Sequence, residues 1–328
     1  MRKPPFDITE KTIEYISSIS EKVGKITEHS GLDGKPHLRK NNRLRSIHSS
    51  LSIEANSLSI GEVQDVIAGK KVKGDAKEIL EIKNAYSAYE GLSEINPYSI
   101  DELLKYHALM TDGLVEEAGK FRKGEEGVFD GDRCIFMAPP AKLVPGLMED
   151  LFSWMNEAKG SLHPLMLSAV FHYEFVFIHP FSDGNGRMAR LWHTAILKEW
   201  KEIFEFVPIE SQIEKFQQEY YDAISRCHAS GNSNAFIEFM LERIDEVLDK
   251  VLEQSKNQIY SSIRVNKLLT IMEEGVPYTP VQLQDKLGLK SRNALKQNYV
   301  NPAIEEGFVY MELEDKPKSK NQRYIKKW

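Results

Sequence analysis

The chain has 328 residues, with 43 Lys and Arg against 49 Asp and Glu and a formal net charge of −6. That length predicts about two domains and enough chain for a sizeable core. A hydrophobic fraction of 41% and a charged fraction of 28% are typical of a globular protein and exclude a disordered or fibrous chain. The longest apolar run, residues 170–178, is broken by His172 and Glu174 and is too short for a membrane helix.

The N-terminus and the cysteine content predict the cellular compartment. The first residues, MRKPPFDITEK, lack the apolar stretch of a signal peptide. Cys134 and Cys227 are too few for a disulfide framework or a zinc site of their own. We therefore expect a reducing, cytoplasmic location and no membrane partner.

Apolar residues return at three- and four-residue spacing along most of the chain, which predicts a mainly α-helical protein. In residues 127–137, β-formers flank the turn dipeptide Asp130-Gly131, so a short β-hairpin is expected there. The predicted helices of the body cover 8–29, 41–56, 60–68, 75–95, 99–112, 144–157, 165–177, 187–200, 211–229 and 233–254.

Residues 257–328 differ from the rest in charge. They carry 12 Lys and Arg against 8 Asp and Glu, a net +4 that leaves −10 on the remainder. Helices are predicted at 259–273, 279–287 and 291–306, followed by strands at 308–313 and 323–326. This order resembles a winged helix-turn-helix and makes DNA a candidate partner of residues 279–328.

The segment FVFIHPFSDGNGRMARLW, residues 175–192, concentrates polar groups between two predicted helices. Its glycines permit positive φ and converging N–H groups, and a helix N-terminus favours an anion. Arginine matches phosphate oxygens, an aspartate suits magnesium, and a histidine exchanges protons near neutral pH. The structural alternative is a glycine-rich turn with surface arginines. The candidate residues are His179, Asp183, Gly184, Gly186, Arg187 and Arg190.

The predicted helix 41–56 carries an apolar stripe, and Glu54 falls on it, three residues after Leu51 and four before Leu58. A carboxylate that faces inward is costly unless a cation pairs with it. The pattern therefore predicts a buried arginine partner for Glu54. The alternative is that the helix frays and Glu54 reaches water.

The residues HPFSDGNGRMAR, 179–190, fit the Fic-domain motif HxFx(D/E)GNGRxxR at every defined position. This resemblance implies a Fic-type helical bundle that transfers AMP from ATP to a Ser, Thr or Tyr hydroxyl of a target protein. It further implies that His179 is the catalytic base and that Asp183 holds Mg²⁺. Phosphate contacts are implied for Gly184, Asn185, Gly186, Arg187 and Arg190.

The same resemblance assigns two further regions. The hairpin becomes a flap that docks the target, so Val128, Phe129 and Gly131 are candidate contacts, and Tyr221 resembles a position near the adenine. Residues Ser50 to Glu54 look like the family's inhibitory motif (S/T)xxxE(G/N), in which the glutamate pairs with the second motif arginine. Here that arginine is Arg190, and Ala55 stands where Gly or Asn is usual.

We therefore expect a protein adenylyltransferase that its own N-terminal helix inhibits. The predicted divisions are an N-terminal helical region 1–97, a Fic core 98–205, a helical extension 206–256 and a winged helix 257–328. A homodimer is a further expected partner state. The alternatives are a DNA-binding regulator with a secondary Fic core, and an enzyme that removes AMP.

Overall fold

The computed structural model describes residues 3–29, 36–130, 133–305, 307–313, 315–317 and 319–327. The chain divides into two compact units, residues 1–251 and 252–328. The finer divisions at residues 97 and 205 stay predictions. Within the described parts of the chain, no helix has the length and apolar character needed to cross a bilayer.

The first unit is mainly α-helical, as the periodicity predicts. Its helices up to the hairpin are α1 (Glu10–His29), α2 (Pro36–Ile53), α3 (Ile60–Ile67), α4 (Ala76–Glu90) and α5 (Ile100–Met110). The hairpin strands β1 (Gly127–Asp130) and β2 (Arg133–Met137) pair antiparallel, with a register shift between Val128 and Phe129. After it come α6 (Val144–Ala158), α7 (Pro164–Ile178), α8 (Asn185–Trp200), α9 (Ile209–Lys215), α10 (Gln217–Ser230) and α11 (Asn234–Ile271). The residues of α11 from Leu252 onward belong to the second unit.

Helix α7 forms the centre of this unit. Pro164 sits at its first turn, where a missing N–H costs nothing, and the His163 ring accepts the Leu165 N–H at 3.2 Å. Eleven consecutive side chains, residues 165–175, and then Ile178 are buried, so the helix is buried nearly all round. Packing α8 against it fixes where the connecting loop lies.

Two predictions of where helices end are wrong. Residues 233–254 and 259–273 belong to one helix, α11, because the polar residues between them include no Gly or Pro to end it. The predicted helix 211–229 is two helices that meet at Phe216, whose ψ of 42° departs from helical geometry. The Arg243 guanidinium lies 4.1 Å over the Phe216 ring, so tertiary packing holds this break.

The second unit has its own small core, which includes Leu268, Leu283 and Val300. Its helices are α12 (Pro280–Leu287), α13 (Arg292–Leu295) and α14 (Asn301–Glu305), with a π-helical turn at 296–300 inside the predicted helix 291–306. A three-stranded antiparallel sheet follows the order β3 (Pro277–Tyr278), β5 (Tyr324–Lys326), β4 (Val309–Met311). The sequence did not indicate β3, and the winged-helix assignment stays a prediction.

Candidate nucleotide site

The loop between α7 and α8 is built from two residues in the left-handed conformation. His179 is the C-cap of α7 with φ 51°, which is uncommon for a residue other than glycine, and Gly184 is the N-cap of α8 with φ 81°. The Asn185 amide closes the loop, because it accepts the Phe181 N–H at 3.0 Å and donates to the Phe181 carbonyl at 2.7 Å. Helix α8 begins at Asn185 and not at Arg187, so Gly186 is helical and does not supply the positive φ that we expected there.

The start of α8 presents a set of donors to one place. The first N–H groups of a helix have no acceptor within the helix, and the dipole makes this end positive. Arg187 is 3% exposed and its Nη2 lies 2.9 Å from Asp183 Oδ1. Its Nε and Nη1 are buried and have no hydrogen-bond partner among the described residues. Buried donors without acceptors are costly, so this arginine fits an anionic ligand.

Arg190 lies one turn further along α8 and is 2% exposed. Its Nε donates to Ser50 Oγ at 3.0 Å, and its Nη2 donates to the Ser50 carbonyl at 2.9 Å and to Glu54 Oε1 at 2.8 Å. Burial lowers the pKa of Arg190, but the Glu54 carboxylate, together with Tyr220 and Tyr89, outweighs it, and the net shift is upward. The ion pair predicted between Glu54 and an arginine is therefore present, and the arginine is Arg190.

The prediction that Glu54 itself is buried is wrong. Helix α2 ends at Ile53, and the Glu54 side chain is 39% exposed. Ala55 then turns the chain with φ 65°, in the left-handed region that Gly and Asn tolerate better. The cost of burial falls on Arg190 instead of Glu54. The helix therefore ends before Glu54, and Glu54 still pairs with a buried arginine, although we treated these two outcomes as alternatives.

Polar side chains at intervals of one helical turn attach α2 to the core. Ser46 donates to Glu210 Oε2 at 2.8 Å, Ser50 accepts from Arg190, and Glu54 follows four residues later. Glu210 is 1% exposed, and this burial raises the pKa of its carboxyl. Tyr89 also donates to Glu210, at 2.9 Å. The helix that carries Glu54 is thus fixed in register against α8 and α9.

His179 is the first residue of the loop and is partly buried, and this burial lowers the pKa of its imidazole. Arg122, which is 3% exposed, fixes the backbone behind it. The Arg122 guanidinium donates to the carbonyls of His179 at 2.6 Å, of Gly124 at 2.8 Å and of Pro139 at 2.5 Å. One side chain therefore ties the end of α7 to the base of the hairpin.

His107 holds the other side of the loop, and sequence reasoning missed it. The Gly119 N–H donates to His107 Nδ1 at 2.9 Å, so the ring proton is on Nε2, which donates to the Asp183 carbonyl at 3.0 Å. Burial lowers the pKa of His107 to about 4, and its ring stacks on Phe181 with centroids 3.6 Å apart. A lone histidine in a helix gives no sequence signal of such a contact.

The other contacts predicted from the sequence involve the hairpin and Tyr221. Gly131 and the side chains of Val128 and Phe129 lie outside the described residues. Of the tyrosine pair, Tyr220 is buried and bonds His172 at 3.0 Å, whereas Tyr221 is 43% exposed. Among the residues that the structure describes, no group of three or more His, Cys, Asp and Glu side chains is placed to hold a metal ion.

Comparisons with known proteins agree with this fold and loop. Residues 97–197 match the Fic/DOC family, and residues 264–325 match the C-terminal domain of proteins described as filamentation induced by cAMP protein Fic-like. A crystal structure of a Fic family protein from Desulfovibrio desulfuricans G20 is 37% identical, with a TM-score of 0.76 over 99% of this chain and 98% of that one. The chain therefore belongs to the Fic family.

More distant relatives carry a named activity. Protein adenylyltransferase Fic from Nematostella vectensis is 28% identical over 70% of this chain and 54% of its own length. The protein of the same name from Aedes aegypti is 28% identical over 64% of this chain and 42% of its own length. The chain thus spans about half the length of these relatives. A Caenorhabditis elegans Fic-1 fragment, 22% identical with a TM-score of 0.62 over 75% of this chain and 74% of the fragment, shares the fold.

Proposed function

We propose that this protein is an adenylyltransferase that moves AMP from ATP to a Ser, Thr or Tyr hydroxyl of a target protein. The observation that carries the proposal is Arg187, a buried arginine at a helix N-terminus with two N–H groups lacking acceptors among the described residues. Phosphate oxygens are strong acceptors for such buried guanidinium donors. The names of the relatives support AMP as the group that is transferred.

In the proposed reaction, Nε2 or Nδ1 of His179 takes the proton of the target hydroxyl. The hydroxyl oxygen then bonds to the α-phosphorus, the bond from that phosphorus to the bridging oxygen breaks, and pyrophosphate leaves. The lowered pKa of His179 keeps its imidazole neutral, as a base must be, at neutral pH. The N–H groups at the start of α8 and Arg187 would stabilise charge on the phosphates, and Arg190 would bind the γ-phosphate.

The residues of the loop fit a magnesium ion bound together with ATP. Asp183 offers one carboxylate that is 40% exposed, and Mg²⁺ usually binds through one or two carboxylates, phosphates and waters. When bound, the ion would neutralise phosphate charge. Asp183 would have to exchange its contact with Arg187 for the metal, which frees Arg187 for phosphate.

The structure supports an inhibited resting state as part of this proposal. Glu54 occupies the guanidinium that would bind the γ-phosphate, and Ser50 holds the same arginine from behind. ATP would then bind weakly or in an unproductive pose. Inhibition by Glu54, the role of Ser50 and the cytoplasmic location all stay proposals.

The test uses ATP labelled on either the α- or the γ-phosphate, incubated with a cell lysate and wild type, Glu54→Gly or His179→Ala. We expect protein labelling only from the α-label, strongest with Glu54→Gly and absent with His179→Ala, although His179→Ala still binds ATP. Labelling from the γ-phosphate would mean phosphorylation and would overturn the proposal. Loss of label from modified target on adding wild type would support the reverse reaction.

A second candidate function rests on the C-terminal unit. A cavity of about 230 Å³ there is lined by Arg292, Lys296 and Lys320 among other residues. We propose that these cations contact the backbone of duplex DNA, because grouped cations suit its phosphates. Binding should weaken steeply with salt and with Lys296→Ala. Binding that is unchanged between low and high salt would exclude this role.

A further inference from the structure

A second carboxylate lies beside the other motif arginine. Glu81 of α4 has Oε1 3.8 Å from Arg187 Nη1, with side chains 14% and 3% exposed respectively. No hydrogen bond joins them, since Nη1 has no partner among the described residues. The contact is therefore one of charge between two largely buried groups, where solvent screens little.

The segment that carries Glu54 also fixes Glu81. Asn56, which is 8% exposed, donates from Nδ2 to Glu81 Oε2 at 3.0 Å and to the Glu78 carbonyl at 3.2 Å. Ser57 donates from its N–H to Glu78 Oε1 at 2.7 Å and from its hydroxyl to Glu78 Oε2 at 3.1 Å. The turn at residues 54–57 thus places Glu54 against Arg190, and its Asn56 holds Glu81 beside Arg187.

We propose that Glu81 is a second inhibitory carboxylate, which opposes the β-phosphate at Arg187 as Glu54 opposes the γ-phosphate at Arg190. The proposal rests on the nucleotide site proposed above. Arg187 is shared between Asp183 and Glu81 at 2.9 and 3.8 Å, so its charge is already compensated. A phosphate that binds Arg187 would also meet a fixed negative charge held by Asn56.

The two carboxylates differ in which nucleotide they affect. ADP has a β-phosphate but no γ-phosphate, so it engages Arg187 and has no need of Arg190. Glu81 should therefore weaken ADP and ATP alike. Glu54 should weaken ATP much more than ADP.

The experiment measures ADP and ATP affinity by calorimetry with Mg²⁺, using the full chain. Glu81→Gln removes the charge and keeps an oxygen for Asn56, and Glu81→Ala is the second variant. Glu54→Gln and Glu78→Gln are the matched controls, because Glu78 lies on the same helix and contacts the same segment but has no contact with Arg187. Thermal melting establishes that each variant is folded.

We expect both Glu81 variants to bind ADP and ATP roughly fivefold more tightly than wild type. Glu54→Gln should tighten the binding of ATP much more than that of ADP, and Glu78→Gln should bind both nucleotides as the wild type does. Unchanged or weaker ADP binding by both Glu81 variants, while the wild type binds ADP, would overturn this inference and leave the nucleotide site intact. Absence of ADP and ATP binding in every variant would overturn the nucleotide site as well.

Discussion

Glu54 and Arg190 are 136 residues apart in sequence, and Glu54 Oε1 lies 2.8 Å from Arg190 Nη2. The pair is asymmetric, since the arginine side chain is 1% exposed and the glutamate side chain 39%. Ser50 supplies two further acceptors to the same guanidinium. Removal of the carboxylate therefore leaves a buried arginine that still has partners, and the fold should survive the change.

Replacing Glu54 with Gly should raise AMP transfer roughly tenfold, less than a fully buried ion pair would predict, because water screens the exposed carboxylate. The rate is measured with labelled ATP at saturating Mg²⁺. Glu54→Gly combined with Arg190→Ala is the control and should lose the gain. Equal rates for wild type and Glu54→Gly would contradict the inhibitory role.

Replacing Ala55 with Gly should strengthen inhibition. Ala55 has φ 65°, a conformation that is strained for an L-residue. After the greater chain entropy of glycine is subtracted, glycine should stabilise this turn by about 1 kcal/mol relative to alanine. Glycine relieves this strain only while the inhibitory turn is formed. Basal transfer should fall by roughly fivefold and the melting temperature should rise. In the Glu54→Gly background the same change should leave transfer unaltered, and higher basal activity would refute the argument.

The pH dependence of transfer should report on His179. Burial lowers the pKa of its imidazole below the ordinary value of 6.5, and the base must be unprotonated. Activity of Glu54→Gly should therefore stay constant from neutral pH down past 6.5 and fall only at more acidic pH. Single-turnover rates at saturating ATP give the profile. A midpoint above 6.5 would contradict the assignment.

Replacing Arg122 with Ala should destabilise the fold by about 2–4 kcal/mol, because it leaves several carbonyls at the loop and hairpin without their donor. The free energy of unfolding in urea measures this. Arg226→Ala is the matched control, since Arg226 is exposed, and it should change stability by less than about 0.5 kcal/mol. Similar losses for both variants would show that Arg122 has no special structural role.

Much of the fold follows from local sequence. The spacing of apolar residues predicts most of the helices, and the turn dipeptide predicts the hairpin, because these signals depend on neighbouring residues. The break at Phe216 and the continuous helix α11 did not follow. Phe216 packs against Arg243, which is distant in sequence, and no local signal stops α11. Strand β3 is only two residues long and carries almost no pattern.

One part of the candidate site also follows from local sequence, and another part does not. The residues of 179–190 are adjacent in sequence, so their grouping could be predicted. His107, Arg122 and Glu81 reach the loop from other elements, and a single histidine, arginine or glutamate carries no signal of its distant partner. The exposure of Glu54 was mispredicted because helical spacing was extended past Ile53, where α2 ends.

Gly186 sits where a side chain would collide with the carboxylate of Glu54, and a Cβ there would also lie 3.0 Å from Arg190 Nη1. Two segments that are distant in sequence therefore compete for the volume of a single methyl group. Any larger residue at this position would have to push the carboxylate away from its arginine. The residue at position 186 and the ion pair of Glu54 with Arg190 therefore constrain each other: the pair in this geometry requires a glycine at 186.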